Sequence, residues 1–551
     1  MSRSKVSTKK KKQKKQPDLL QDTGAFLGSL LNGLVSVYML LLMVVMPFYF
    51  TDGYARIGTN KYEFFYGVST KMGLIMAPFL LIYAILQVAI YVKREGHKSL
   101  ELWKNFSVTD WFALGYGVIV TLSYFCSDFQ AESIYGSALK GAKGWYMGLA
   151  SQLILVGIYF VVSRCWKRYK GMLFLWFPVT LVVFGLGYLN RFEVRPLEMK
   201  NATIEFISTI GNMNWYCGYV VILLFGGMYY IWSQAEKNRG LRIFFYLWLT
   251  VGFATLLTQG SQSGILALGG VLVALYLMSM GSMEKLLSLG SCLVCMGLAC
   301  SVTGLVRLLF PERFNYPDAM STLFTNSPVA ILLPVLAVLF CVGLRYLQKK
   351  GMAPLWVFRA VGYGGCALLA VALVIFVILG IVNTKSPGSI GALSEVAAFT
   401  FDMEWGSKRG AAWAAAFMCF GEQDFLGKMI GVGPDSMAMY VYSGTNQTLV
   451  DMMRESFAHL NLTNAHCEWL TMLVNVGLLG MIAYAGMMVS AIVRYLKVGK
   501  TSSIIGACGF AVLAYTINNM VSFQQAMGAA TIFLVLGIGE AYMRGAKEGK
   551  P

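Results

Sequence analysis

Runs of roughly 17 to 25 apolar residues recur along nearly the whole chain, and that length constrains the fold more than any other feature. An α-helix rises ~1.5 Å per residue, so about 20 apolar residues cross a hydrocarbon core of ~30 Å. About fourteen such spans are expected, near 25–50, 72–92, 110–126, 144–163, 171–189, 215–232, 241–258, 263–280, 286–309, 327–346, 355–381, 467–493, 503–520 and 526–543. The composition agrees: 57% of the 551 residues are hydrophobic and 13% charged, against about 25% charged in soluble domains. The expected fold class is therefore an all-α polytopic membrane protein. It divides into a basic tail (1–22), a transmembrane bundle (23–381), a long external loop with short helices (382–466), and carboxy-terminal spans with a short tail (467–551).

The first span is long and lacks a small-residue cleavage site, which favours an anchor over a removed signal peptide. The lysine-rich stretch before it supplies much of the net +18 charge. A nucleic-acid arm is the alternative reading of such a run, but a solvated tail beside anionic lipid suits a chain of this class better, so no nucleic-acid partner is expected. Basic loops at 93–98, 163–170, 236–242, 347–351, 494–500 and 543–550 fall on the side of that tail if the spans alternate. About 30 of the 45 basic residues then lie inside, so both termini are expected to be cytoplasmic.

Residues 382–466 form the one long external segment. Its Trp, Phe, Met and Tyr content predicts a folded structure that packs back onto the bundle. The span interiors hold almost no ionisable residues, which disfavours a pump. Polar and basic groups gather instead at the external ends: Lys140, Arg191, Arg195, STIGNMN at 208–214 with Asn212 and Asn214, TQGSQSG at 258–264, GSKRGAAW at 406–413, and Asn464, His466 and Glu468. The cysteines of SCLVCMGLAC lie within a span without His or carboxylate partners, so no metal site is expected there.

A cationic, aromatic-lined site at a membrane surface suits a diphosphate attached to a long apolar chain. Arg offers a planar fork of donors for phosphate oxygens, and Arg409, beside Lys408, opens the helical pattern RGAAWAAAF with Trp413 one turn away. An interfacial Arg–Trp anchor is the alternative. His466 precedes a helix start, where a neutral imidazole can serve as a general base or hydrogen-bond a phosphate, or have a purely structural role. His459 is expected to be an ordinary surface residue, and Glu468 has a structural reading as a charge favoured by the helix dipole.

The segments GSKRGAAWAAAF, GKMIGVGPDSMAMY (427–440) and NAHCEWLTMLVNVGLLG (464–480) together resemble the successive signatures of the O-antigen ligase and polymerase superfamily of membrane glycosyltransferases. STIGNMNWYCGY and TQGSQSGILAL resemble two earlier segments of the same family. The resemblance implies a GT-C-like helical architecture and metal-independent glycosyl transfer without a cofactor. The implied donor is an undecaprenyl-diphosphate-linked glycan, and the acceptor a glycan, lipid or protein hydroxyl. It assigns the diphosphate to Arg409, acceptor activation or phosphate binding to His466, and substrate contacts to Lys408, Trp413, Asn212, Asn214 and Asn464. Two departures stand out. Gln262 replaces a family Arg, so Arg191, Arg195 or Lys140 is expected to supply the missing charge, and Cys467 replaces an Asn that often follows the histidine. Ligase, polymerase and protein O-glycosylation readings stay open, and a lipid-linked glycan flippase is the rival from another class. The expected location is the cytoplasmic membrane, with the site on its external face.

Overall fold

The computed structural model describes residues 18–547 apart from 96–104, 137, 140–141, 144, 235, 444–445 and 459–460. Each expected span coincides with a helix. Among the described residues, twelve helices are long and apolar enough to cross a membrane, and two further apolar helices, Leu149–Cys165 and Ser503–Asn518, are shorter. The architecture is that of an all-helical, multi-pass membrane protein. The only strands among the described residues are two short hairpins, one of which pairs Phe206–Ile207 with Gly211–Asn212.

Helices Met213–Ser233 and Ala526–Lys547 are buried at the centre. The two short helices pack on them, Ser503–Asn518 against the first and Leu149–Cys165 against the second. Ile57–Glu95 and Leu355–Lys385 lie at the periphery and turn most of their apolar side chains outward, as helices facing lipid do. Lipid tails are as apolar as the side chains, so helices associate through close packing over small residues. Thus Tyr229 lies over Gly506, where an added Cβ would come within 2.0 Å of its ring, and Trp248 covers Gly227 at 2.4 Å.

The bundle has a tail end, where helix Leu19–Leu40 begins, and a loop end, where segment 386–467 folds. Buried charges keep to these ends. At the loop end Lys61, 2% exposed, donates to the carbonyls of Met46, Pro47 and Tyr49 at 2.9, 2.8 and 2.8 Å, closing the tightened last turns of the first span. The long loop begins a few residues later than the sequence pattern indicates, because helix Leu355–Lys385 continues past 381. It folds back onto the bundle. Ala411, Ala412, Ala415 and Cys419 of helix Trp405–Glu422 form a separate small core with Met437, Val441 and Met453, closed by Val474 of helix Glu468–Gly499.

Candidate active site

Helix Glu468–Gly499 is broken at Gly477, whose φ of 68° and ψ of −173° leave the helical region. The carbonyls freed by the break, Val474 and Asn475, accept from the amides of Val432 and Gly433 at 3.1 and 3.0 Å. An added Cβ on Gly477 would lie 2.4 Å from the Ile430 backbone, and one on Gly431 2.3 Å from that of Asn475. Both positions also have φ in the left-handed region, so glycine serves twice over: for conformation and for close approach. The Gly-Val-Gly turn and the Asn-Val-Gly segment are thereby stitched into one platform beneath the loop.

Gly406, Ser407 and Lys408 all have positive φ, so continuous helix begins only at Arg409. This turn sends the two neighbouring cations apart. Lys408 Nζ donates to the Ser456 carbonyl and lies 6.0 Å from the Phe457 ring centroid. Arg409 instead reaches the bundle: Nε and Nη2 donate to the Val521 carbonyl at 3.1 and 3.0 Å, and Nη1 to the Gly406 carbonyl at 2.5 Å. Three of the five N–H groups of the guanidinium are engaged in this way, which leaves one on each terminal nitrogen for an anion. Burial lowers the pKa of Arg409. One turn further on, Trp413 packs against Trp405 at 5.3 Å, and its buried indole N–H has no acceptor.

His466 also has a positive φ, and its amide donates to Asn464 Oδ1 at 2.8 Å. Its imidazole meets the edge of Phe523 at 5.2 Å. Burial first, and the Arg409 charge second, hold its pKa down to about 4. The imidazole is therefore neutral at neutral pH and can accept a proton. Val521 and Phe523 belong to the same short connection, 519–525, so Arg409 and His466 converge on one loop.

Beneath this loop Glu468, 1% exposed, accepts from the hydroxyls of Tyr484 and Tyr515 and the amide of Asn519. The polar chain continues from Asn519 to Asn518 at 2.7 Å, from Asn518 to Cys217 Sγ at 3.5 Å, and on through Ser263 to Ser261. Residues from 208–219, 258–264 and 464–480, far apart in sequence, thus share one hydrogen-bonded string. Glu468, in the first turn of its helix, is the anchor of that string.

The remaining candidates occupy different settings. Gln262 is exposed at the start of its helix. Asn212 caps helix Met213–Ser233 by accepting from the Asn214 amide at 2.9 Å. Arg191 is 0% exposed, donates to the carbonyls of Ile204 and Gln259, and lies 4.8 Å from the Tyr316 ring centroid; its guanidinium secures the loops on either side. Arg195 is half-buried nearby. Lys140 and His459 lie outside the described residues.

Sequence reasoning overlooked the 519–525 connection and Trp145. The Trp145 ring lies 4.6 Å from Phe523 and 5.4 Å from Trp215, and its indole N–H donates to Thr463 Oγ1 at 2.6 Å. Trp145 and Trp215 line a cleft of about 200 Å³ that Tyr54, Lys61 and Gln525 also border. A signal was present: Asn518 borders, and Asn519, Gln524 and Gln525 lie within, a short connection between two apolar spans, where buried amides require partners.

The assembly offers a neutral proton acceptor and a cation beside an aromatic cleft, a combination suited to removing a proton from one group while stabilising negative charge on another. Comparison of the sequence with protein-family models finds no match, and comparison with curated proteins finds none either.

Proposed function

We propose that the protein is an O-antigen ligase-like glycosyltransferase of the cytoplasmic membrane, with both termini cytoplasmic and the Arg409–His466 site on the external face. The observation that carries the proposal is the convergence of Arg409 and a neutral His466 on the 519–525 connection. In the reaction, an acceptor hydroxyl attacks the anomeric carbon of a glycan linked to undecaprenyl diphosphate. The new C–O bond forms as the bond to the diphosphate breaks. His466 takes the hydroxyl proton, and Arg409 stabilises the charge that grows on the departing lipid diphosphate. The aromatic cleft at Trp145 and Trp215 is suited to sugar rings, whose apolar faces pack on indole.

The test is transfer by the purified protein from a lipid-diphosphate-linked glycan to an acceptor, followed by gel separation of the products. Transfer that disappears in Arg409→Ala supports the reading; no transfer by wild type from any such donor removes it. Glycan length in a strain lacking the protein separates the two forms of the activity. Lost chain extension identifies a polymerase, and full-length unattached chains identify a ligase.

A further inference from the structure

Tyr146 has a φ of 58°, a conformation in which a bulky side chain is strained. The turn is held from both sides: Ser151 Oγ donates to the Tyr146 carbonyl at 2.6 Å, and the Met147 amide donates to Asp435 Oδ2 at 3.1 Å. It sends two neighbouring rings to different partners. Tyr146 stacks on Tyr62 at 4.3 Å, whereas Trp145 meets Trp215 at 5.4 Å with the two indole planes 84° apart. Trp215 is itself clasped, since Cβ atoms added to Gly58 and Gly211 would come within 2.9 and 3.1 Å of its ring. The result is a fixed, nearly right-angled corner of two indoles in the cleft of about 200 Å³ at the loop end.

The polar groups left over at this corner are uncharged donors. The indole Nε1 of Trp215 is buried and has no acceptor among the described residues. Gln525, 9% exposed, borders the cleft; its Oε1 accepts from the Met527 amide at 2.8 Å, and its Nε2 has no acceptor among the described residues. Donors left unpaired in a largely buried setting are costly, so two around one cleft indicate a ligand that carries acceptor oxygens. The basic residues of the lining are already engaged. All three N–H groups of Lys61 go to backbone carbonyls, and Arg56 pairs with Glu63 at 3.3 Å. A carboxylate or phosphate in the cleft would find no unused N–H on Lys61 and a rival carboxylate at Arg56.

We infer that this corner is the acceptor subsite of the proposed transfer and that it takes an uncharged sugar ring. The inference deepens the glycosyl-transfer reading and rests on it for the assignment to the acceptor. A pyranose has apolar C–H faces, which pack on indole, and a rim of hydroxyl or acetamido oxygens, which accept from Trp215 Nε1 and Gln525 Nε2. The side of the reaction follows from Phe523. Its ring lies 4.6 Å from Trp145 and 5.2 Å from His466, so a sugar resting on Trp145 is next to the group that takes the acceptor's proton. The diphosphate belongs with Arg409, which holds the same connection at Val521. The connection thus separates an anion site from a neutral one.

The test uses the purified full-length chain in neutral detergent. Saturation-transfer NMR measures binding of neutral trisaccharides built from glucose, galactose, mannose or N-acetylglucosamine, and of trigalacturonate, an acidic trisaccharide. At least one neutral trisaccharide is expected to bind, and trigalacturonate is expected not to displace it. Trp215→Phe keeps a ring but loses the donor; Gln525→Glu keeps the acceptor for Met527 but loses the donor. Each should weaken neutral binding about fivefold, the effect of one lost hydrogen bond, and either suffices if the other misfolds. In transfer assays Trp215→Phe should raise the acceptor KM by the same factor and leave the donor KM and kcat unchanged. The inference is overturned if no neutral trisaccharide binds, if trigalacturonate displaces one that does, or if both variants bind like wild type. A rise in the donor KM instead rejects the assignment to the acceptor. Wild-type binding without transfer from any lipid-diphosphate donor removes the glycosyl-transfer reading and leaves the neutral sugar site standing.

Discussion

The guanidinium of Arg409 grips the Val521 carbonyl through two N–H groups, at 3.1 and 3.0 Å, across a sequence separation of 112 residues. This contact ties the long loop to the connection between the last two spans. Because Phe523 follows two residues later and bears on both His466 and Trp145, the position of one arginine is coupled to the imidazole and to the edge of the aromatic cleft.

Arg409→Ala should lower glycan transfer about 10²–10³-fold, the range for deleting a group that stabilises transition-state charge, with protein levels in the membrane preserved. Arg409→Lys should recover only part of that loss, since an ammonium restores charge without the planar fork that holds Val521. Turnover assays on both variants check this, and near-normal transfer by the alanine variant rejects the role.

His466 makes stability depend on pH. Its folded-state pKa, about 4, lies below the ~6.5 of a free imidazole, so between these values the unfolded chain binds a proton that the folded chain does not. Stability should therefore fall as pH drops from about 6.5 to about 4, and His466→Gln should flatten that part of the profile. Unfolding midpoints of the two proteins in detergent across this window provide the measurement. Transfer should fall ~10²–10⁴-fold in His466→Ala, as for loss of a general base, and be tolerated in His459→Ala.

Gly477→Ala should destabilise the protein by ~2 kcal/mol or more, because a methyl group would enter the backbone of residues 429–430 at a position with φ of 68°. Gly364→Ala is the control: no atom lies within 4 Å of the added Cβ, and the position is helical. Equal unfolding midpoints for the two variants would contradict the stitched platform.

Glu468→Ala should destabilise more than Glu468→Gln. Alanine leaves donors on Tyr484, Tyr515 and Asn519 unpaired, at ~1–3 kcal/mol each, whereas glutamine retains one acceptor oxygen. A double-mutant cycle with Tyr484→Phe should give a coupling of at least ~0.5 kcal/mol, the scale for directly contacting residues.

Much of the fold was legible because bilayer thickness acts on every span separately: each apolar run must be helical to satisfy its own backbone, whatever its neighbours do. The helix Trp405–Glu422 was likewise readable from the spacing of RGAAWAAAF, and with it the one-turn relation of Arg409 to Trp413. The divergence of Lys408 from Arg409 was not, since it depends on three consecutive positive-φ residues that the surrounding loop imposes.

Local pattern determined that this chain forms apolar helices, that its cations avoid their interiors, and that a folded segment precedes helix Glu468–Gly499. Tertiary structure alone decided which backbone carbonyls Arg191 and Arg409 secure, and that Glu468 is enclosed by tyrosines. It also decided that the 519–525 connection is the meeting place of the site. The physical reason is that periodicity records which face of a helix is apolar, whereas the partner of a buried polar group is chosen by packing between elements that the chain order does not place side by side.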